Sequence, residues 1–167
     1  MKTGLQNMKI KKYLWIIIVV GILVVIDQVI KFCVAAYWGN TDTVLINNVL
    51  NITYMQNNGI ALGIIFGIGI SSRILLILLN VIVIMLIINF VISRKEQLDI
   101  QILASLSLIL GGGIGNLIDR IVRGYVIDYI NVLPKMNLPI FNFADICVDL
   151  GVVVLAIAII RYWIKKK

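Results

Sequence analysis

Residues 111–151 read GGGIGNLIDRIVRGYVIDYINVLPKMNLPIFNFADICVDLG. The stretch is mostly apolar. Yet it holds four of the chain's eight acidic residues (Asp119, Asp128, Asp145 and Asp149) and both of its prolines, Pro134 and Pro139. A carboxylate beside hydrocarbon is costly, and it is kept mainly where it pairs, binds or reacts. The stretch leaves one long apolar run at about residue 118 and enters another at about 146, so it reads as a polar connection between two membrane spans. The remainder of the chain reads as a frame that holds this connection in place.

That frame is visible in the composition. Of 167 residues, 61% are hydrophobic, against about 45–50% in a soluble domain, and the mean hydropathy is +1.05. Four apolar runs, about 14–36, 70–92, 100–118 and 146–164, reach the roughly 20 residues that cross a bilayer as helix. The expected fold class is an all-α polytopic membrane protein with four transmembrane helices. Residues 1–167 form one membrane domain, with no length left for a separate soluble one.

The net charge of +7 does not point to nucleic acid, because ten of the fifteen basic residues sit in three segments. Lys2, Lys9, Lys11 and Lys12 precede the first span. Arg94 and Lys95 lie between the second and third, and Arg161, Lys165, Lys166 and Lys167 end the chain. Four spans put all three segments on one side, which the positive-inside rule makes cytoplasmic. Segments 37–69 and 119–145 then face outward. The opening MKTGLQNMKIKKYLWIIIVVGILVVI has the basic start and apolar core of a secretory signal. Its apolar stretch exceeds the usual core of about 7–15 residues, and polar residues follow inside it, so it is read as the first span.

Those polar residues are Asp27, Gln28 and Lys31. Asp27 and Lys31, four apart, share a helix face and can pair, which reads as a structural ion pair supporting the site from behind. In the first outward segment, Thr43–Ile46 and residues 49–55 are rich in β-branched and aromatic residues with Asn47-Asn48 between them, the pattern of a small extracytoplasmic β-sheet. Gly63, Gly67 and Gly69 follow among apolar residues, where glycine lets a backbone or ligand come close. Asn51-Ile52-Thr53 matches a glycosylation sequon. The second span holds only Asn80 and Asn89 as polar residues and reads as frame, with Arg73 as an interfacial anchor. Gly111-Gly112-Gly113-Ile114-Gly115 marks tight helix packing rather than a phosphate loop, since neither a preceding strand nor a Gly-Lys-Ser/Thr follows the pattern. Asp119-Arg120 reads as a clamp at the exit of the third span.

Cys33 and Cys147 sit in or beside apolar runs and read as small hydrophobes. The chain has no histidine, which removes Ser-His and Cys-His nucleophile pairs and every His-ligated metal site. Carboxylate chemistry remains. Asp128 and Asp145 flank the second outward loop. Two carboxylates in contact share one proton; the ionised partner can take a proton from water while the protonated one donates to a carbonyl oxygen. That is amide hydrolysis with no cofactor and no metal.

Five motifs occur in order: Asp27-Gln28-x-x-Lys31, Asn57-x-Gly59-x-Ala61, Gly115-Asn116-x-x-Asp119-Arg120, Gly124-x-Val126-x-Asp128 and Phe141-Asn142-x-Ala144-Asp145. Together they resemble the lipoprotein signal peptidases (signal peptidase II) of bacteria. The resemblance implies an aspartic protease of the bacterial cytoplasmic membrane that cuts prolipoproteins just before a cysteine carrying a diacylglyceryl group. Its partners would be that substrate and membrane lipid, not nucleic acid. It implies Asp128 and Asp145 as the catalytic pair. Asn57, Gly59, Asn116, Arg120 and Asn142 would surround the site, the asparagines binding substrate backbone and orienting carboxylates, while Asp119 and Arg120 brace the third helix. The active site would form from the sheet and the second outward loop at the outer face. Two departures stand out. The chain has Gly59-Ile60-Ala61-Leu62 where the family commonly reads Gly-Ala-Ala-Phe, and Asp149, one turn past Asp145, is outside the pattern. Two rival readings use the same acids, one as a proton-coupled transporter or ion pathway through Asp27, Lys31 and Asp149, the other as a scaffold locked by its charges.

Overall fold

The computed structural model describes residues 2–39, 42–61, 64–65, 70–94 and 98–166, with side chains described for 14–39, 42–59, 70–94 and 98–165. The order is α1 (Lys2–Trp38), β1 (Thr43–Ile46), β2 (Leu50–Asn57), β3 (Ile60–Ala61), β4 (Ile64–Ile65), α2 (Ile70–Ser93), α3 (Ile100–Val122), β5 (Val126–Val132), a 3-10 turn (Pro134–Met136) and α4 (Phe143–Lys166). Among the described residues, four stretches are long and apolar enough to cross a membrane: Leu14–Trp38, Ile70–Ser93, Ile100–Val122 and Phe143–Lys165. At 1.5 Å per residue each is about 35 Å long. Alternating direction puts the end of α1, the start of α2, the end of α3 and the start of α4 on one side, together with the strands.

α3 is the hub, touching α1, α2 and α4. Its glycines permit this. A Cβ added at Gly112 would overlap the Ala144 carbonyl oxygen of α4, and one at Gly115 would lie 2.5 Å from Asp27 Oδ2 on α1. A membrane offers no hydrophobic drive between helices, so such close approach and interhelical hydrogen bonds hold the bundle. One of those bonds runs from Asn80 Nδ2 on α2 to Gly113 O, 3.1 Å. Gly112→Ala should therefore part α3 from α4. Overpacking of this kind costs about 1–3 kcal/mol, and the variant should melt lower in detergent while losing activity, because the same contact aligns residues across the site described below.

The three-stranded antiparallel sheet has the order β1-β2-β5. Strands β1 and β2 lie at the two stretches rich in β-branched and aromatic residues, on either side of Asn47-Asn48. β5 was not expected as a strand, although Val126-Ile127-Asp128-Tyr129-Ile130-Asn131-Val132 carries the same enrichment. Its pairing with β2 sets Met55 opposite Asp128 and Asn57 opposite Val126, across an irregularity between Ile52 and Met55. Ile127 and Tyr129 point to α1, where they pack with Val34 in a buried cluster edged by Ile30, Trp38 and Phe143.

Two helix ends differ from expectation. α3 runs to Val122 rather than stopping at 118, because Asp119 is buried and partnered instead of facing water. At its end Arg73 does more than anchor: Nε donates to Arg120 O at 2.8 Å and Nη2 to Ile121 O at 3.0 Å. These are orphan last-turn carbonyls, and a cation there complements the helix dipole. Gly124, at φ 91°, makes the reversal into β5 with the Arg73 guanidinium against its Cα. α4 begins at Phe143 rather than 146, for a reason that belongs to the site. Leu62, Gly63, Gly67 and Gly69, and the side chains of Ile60 and Ala61, lie outside the described residues.

Candidate active site

The site is built on the start of α4. Asn142 is its N-cap and Asp145 its third residue. Asn142 Oδ1 accepts from Asp145 N–H at 3.0 Å, and Asp145 Oδ2 accepts from Asn142 N–H at 3.1 Å. This is a reciprocal capping box. The two remaining early N–H groups are also taken: Phe143 N–H donates to the Tyr129 hydroxyl at 3.2 Å and Ala144 N–H to Asp27 Oδ1 at 3.2 Å. All four orphan donors of this helix end are thus satisfied, and one of the satisfying carboxylates is Asp145 itself.

Asn142 also reaches the second acid. Its Nδ2 donates to Asp128 Oδ1 at 2.6 Å, while Asn57 Nδ2 donates to Asp128 Oδ2 at 2.9 Å. One asparagine therefore hydrogen-bonds Asp128 from β5 and Asp145 from α4. Asn57 is itself set by a local turn in which Gly59 N–H donates to its Oδ1 at 3.2 Å. Asp128 is 1% exposed. Burial, joined by the charge of Asp145, pushes its carboxyl up to about 6 against the hydrogen bonds from Asn57 and Asn142. Burial also raises the Tyr129 phenol, so it stays a neutral cap at physiological pH.

Behind this pair lies a second, charged layer. The Lys31 ammonium has three donors and places them on Asp27 Oδ2 at 2.9 Å, Asp119 Oδ2 at 3.0 Å and Asn116 Oδ1 at 2.9 Å. All of this is buried: Lys31 and Asp119 are 0% exposed. Asp119 also pairs with Arg123 and accepts from Ile127 N–H at 3.1 Å, which fastens the first turn of β5 just ahead of Asp128. Gln28 ties the layer together. Its Nε2 donates to Asp119 Oδ1 and to Gly115 O, each at 3.1 Å, and its Oε1 accepts from Arg123 Nη1 at 3.0 Å. Two acids and two bases balance, which is what makes burial of this many charges tolerable.

Asn116 couples the layers. With its Oδ1 held by Lys31 and by Asn142 Nδ2 at 3.3 Å, its Nδ2 is committed to Asp145 Oδ1 at 2.8 Å. Arg120 lies alongside. Its guanidinium donates to Asn116 O at 3.3 Å and lies in the field of the carboxylates Asp145, Asp128 and Asp119. Adjacent residues on a helix point about 100° apart, so at the end of α3 Asp119 pairs with Lys31 and Arg123, while Arg120 turns to Asn116 O.

The family model for signal peptidase (SPase) II matches residues 19–161. The chain belongs to the signal peptidase II family. Among its relatives, a lipoprotein signal peptidase of Clostridium tetani is 38% identical over 149 residues, covering 87% of this chain and 91% of that protein. One from Staphylococcus haemolyticus is 36% identical over 157 residues, covering 92% and 96%. A bacterial membrane enzyme solved by the in meso method at 2.3 Å is similar in fold, with a TM-score of 0.77, 29% identity and 91% of each chain covered.

All ten residues singled out from the sequence for this signal peptidase II chain converge here: Asp128, Asp145, Asn57, Gly59, Asn116, Arg120, Asn142, Asp119, Asp27 and Lys31. Asp149 does not. It is exposed on α4, a turn beyond Asp145. Asp27 and Lys31, which an ion pathway would have used, are closed into the charged layer rather than lining a route. Three contributors were missed: Tyr129, Arg123 and the capping role of Asn142-x-x-Asp145. The last had a signal in the sequence, an N-cap residue followed three positions later by an acid before an apolar run. Arg123 had one too, four residues after Asp119.

Proposed function

We propose that this chain is a membrane aspartic endopeptidase that removes signal peptides from diacylglyceryl-modified prolipoproteins, cutting before the lipidated cysteine. Membership of the signal peptidase II family and the curated relatives' common name, lipoprotein signal peptidase, support the substrate class. The observation that carries the chemistry is the single Asn142 side chain and backbone holding Asp128 and Asp145 together in a chain without histidine.

Each carboxylate then has a role. Asp145 caps a helix N-terminus, where negative charge is favoured, and both of its oxygens accept from N–H donors. It is the ionised partner and takes a proton from the attacking water. Asp128, held near 6 by burial, is the protonated partner and donates to the scissile carbonyl oxygen as the tetrahedral intermediate forms. On collapse a hydroxyl of the intermediate returns its proton to Asp128, the carbonyl re-forms, the C–N bond breaks, and the proton held by Asp145 passes to the leaving amine. Asn57 and Asn116 hold the carboxylates, and Arg120 supplies positive charge beside the pair.

Topology accounts for the substrate. Basic segments at both ends and between α2 and α3 place the termini in the cytoplasm by the positive-inside rule, so the acids sit at the outer face of the bacterial cytoplasmic membrane. A signal helix entering with its basic end inside delivers its cleavage site there. The acyl chains stay in lipid while the peptide bond meets water. The test is incubation of the purified full chain with a diacylglyceryl-modified prolipoprotein beside the same precursor without lipid. Release of a product beginning with the lipidated cysteine, from the modified precursor only, is expected. Equal cutting of both precursors removes the lipid from the assignment, and cutting of neither removes the function.

A further inference from the structure

The outward sheet carries an apolar ridge that the chemistry does not use. At the end of the sheet away from Asn57, Val44 is 59% exposed, Leu45 55%, Ile46 54% and Val49 45%. The turn after β5 adds Met136 at 64% and Leu138 at 42%. The two pieces are one surface: Leu133 N–H donates to Val49 O at 2.8 Å, and Leu50 pairs with Val132. Leu133 itself is held at φ 49°, in the left-handed region that L side chains avoid.

From this ridge we infer a shallow lipid anchor that dips the end of the outward sheet into the membrane leaflet beside it. Val44, Leu45 and Ile46 are all exposed and all apolar. The register slips between Val44 and Ile46, and such a bulge breaks the alternation of faces and turns the edge away from pairing with another strand. Charge and continuity identify the occupant. Residues 43–50 and 133–141 hold no acid, and their single charge is Lys135, which suits lipid phosphate. The ridge is also continuous with the spans. β1 follows α1 after the Tyr37-Trp38 aromatic end, and the turn leads through residues 139–142 into α4.

Physics also limits the depth. Among the described residues the outer edge of β1 has no strand partner, and unpaired N–H and C=O groups are not tolerated in bilayer hydrocarbon. The ridge therefore sits at the headgroup–acyl boundary, as interfacial elements do, about 5–10 Å in. Fixed there, β2 and β5 hold Asn57 and Asp128 level with the lipid surface from a second point besides α1.

The test uses the full chain in nanodiscs of phosphatidylcholine and phosphatidylglycerol, with Cys33→Ser and Cys147→Ala and an environment-sensitive NBD label at Leu45→Cys or Met136→Cys. We expect blue-shifted emission, protection from aqueous iodide and stronger quenching by lipid with a shallow (5-doxyl) label than with a deep (12-doxyl) one. Replacing the second ridge residue by aspartate in each labelled protein should weaken that quenching by about tenfold, the scale of one lost large side-chain burial. Iodide-accessible labels with no doxyl quenching overturn the anchor. Protection appearing only in discs loaded with two copies makes the ridge a dimer interface, and protection appearing only when lipopeptide is added makes it a substrate surface. Both also overturn it. None of these outcomes depends on cleavage.

Discussion

Asp128→Asn and Asp145→Asn should each lower kcat/KM for a lipidated precursor by about 10³-fold or more, since each removes one half of a general acid–base pair. Neither should unfold the protein. Asparagine keeps the volume, and the Asn142 cap still accepts from residue 145 N–H. The wild-type pH dependence separates the two roles. With the Asp128 carboxyl pushed up to about 6 by burial, its protonated fraction falls as pH rises through that value. kcat/KM should therefore decline on the alkaline side, with an apparent pKa that belongs to the pair rather than to one residue. Stability follows the same sign. The raised carboxyl favours the folded state most below the ordinary aspartate value near 3.8, and that contribution is lost as pH rises through about 6. Asp128→Asn should flatten this part of the stability curve while activity is gone. Normal cleavage by either asparagine variant would remove the dyad.

Sequence and structure agree where the physics is local, and they part where it is cooperative. Runs of twenty apolar residues can only be satisfied as helices in a bilayer, so the four spans were legible, as was the Asp27–Lys31 pair, a matter of spacing four on one helix. The two hidden features needed partners distant in sequence. β5 had strand composition, but its reading as a strand depends on β2 lying beside it. Asp119 looked like a membrane exit because charge usually means water. Here Lys31, 88 positions away, supplies the compensation, and α3 continues another turn. Arg73 shows the same limit. Nothing in its neighbours announces that the carbonyls of Arg120 and Ile121 will arrive within 2.8–3.0 Å. The capping box at Asn142-x-x-Asp145 was legible, and it would have moved the start of α4 back to Phe143.

Lys31→Met should be the most destabilising single change in the charged layer. It leaves the buried Asp27 without its ammonium and strips one of two cations from Asp119; uncompensating a buried ion pair costs about 3–5 kcal/mol. Thermal melting in detergent reads the loss. Adding Asp27→Asn should recover part of it, because Asp119 with Arg123 is again neutral and an asparagine oxygen can still accept from Ala144 N–H. Activity should behave differently. Lys31 holds the Asn116 Oδ1 at 2.9 Å, and that hold commits the opposite end of the amide to Asp145. In the double variant only the longer bond from Asn142 Nδ2, 3.3 Å, still holds that oxygen, so Asn116 is less firmly oriented and Asp145 loses a constant donor. Stability restored with kcat still depressed identifies Lys31 as a positioning residue acting through Asn116. Stability and kcat recovering together would reduce it to a buried counter-ion.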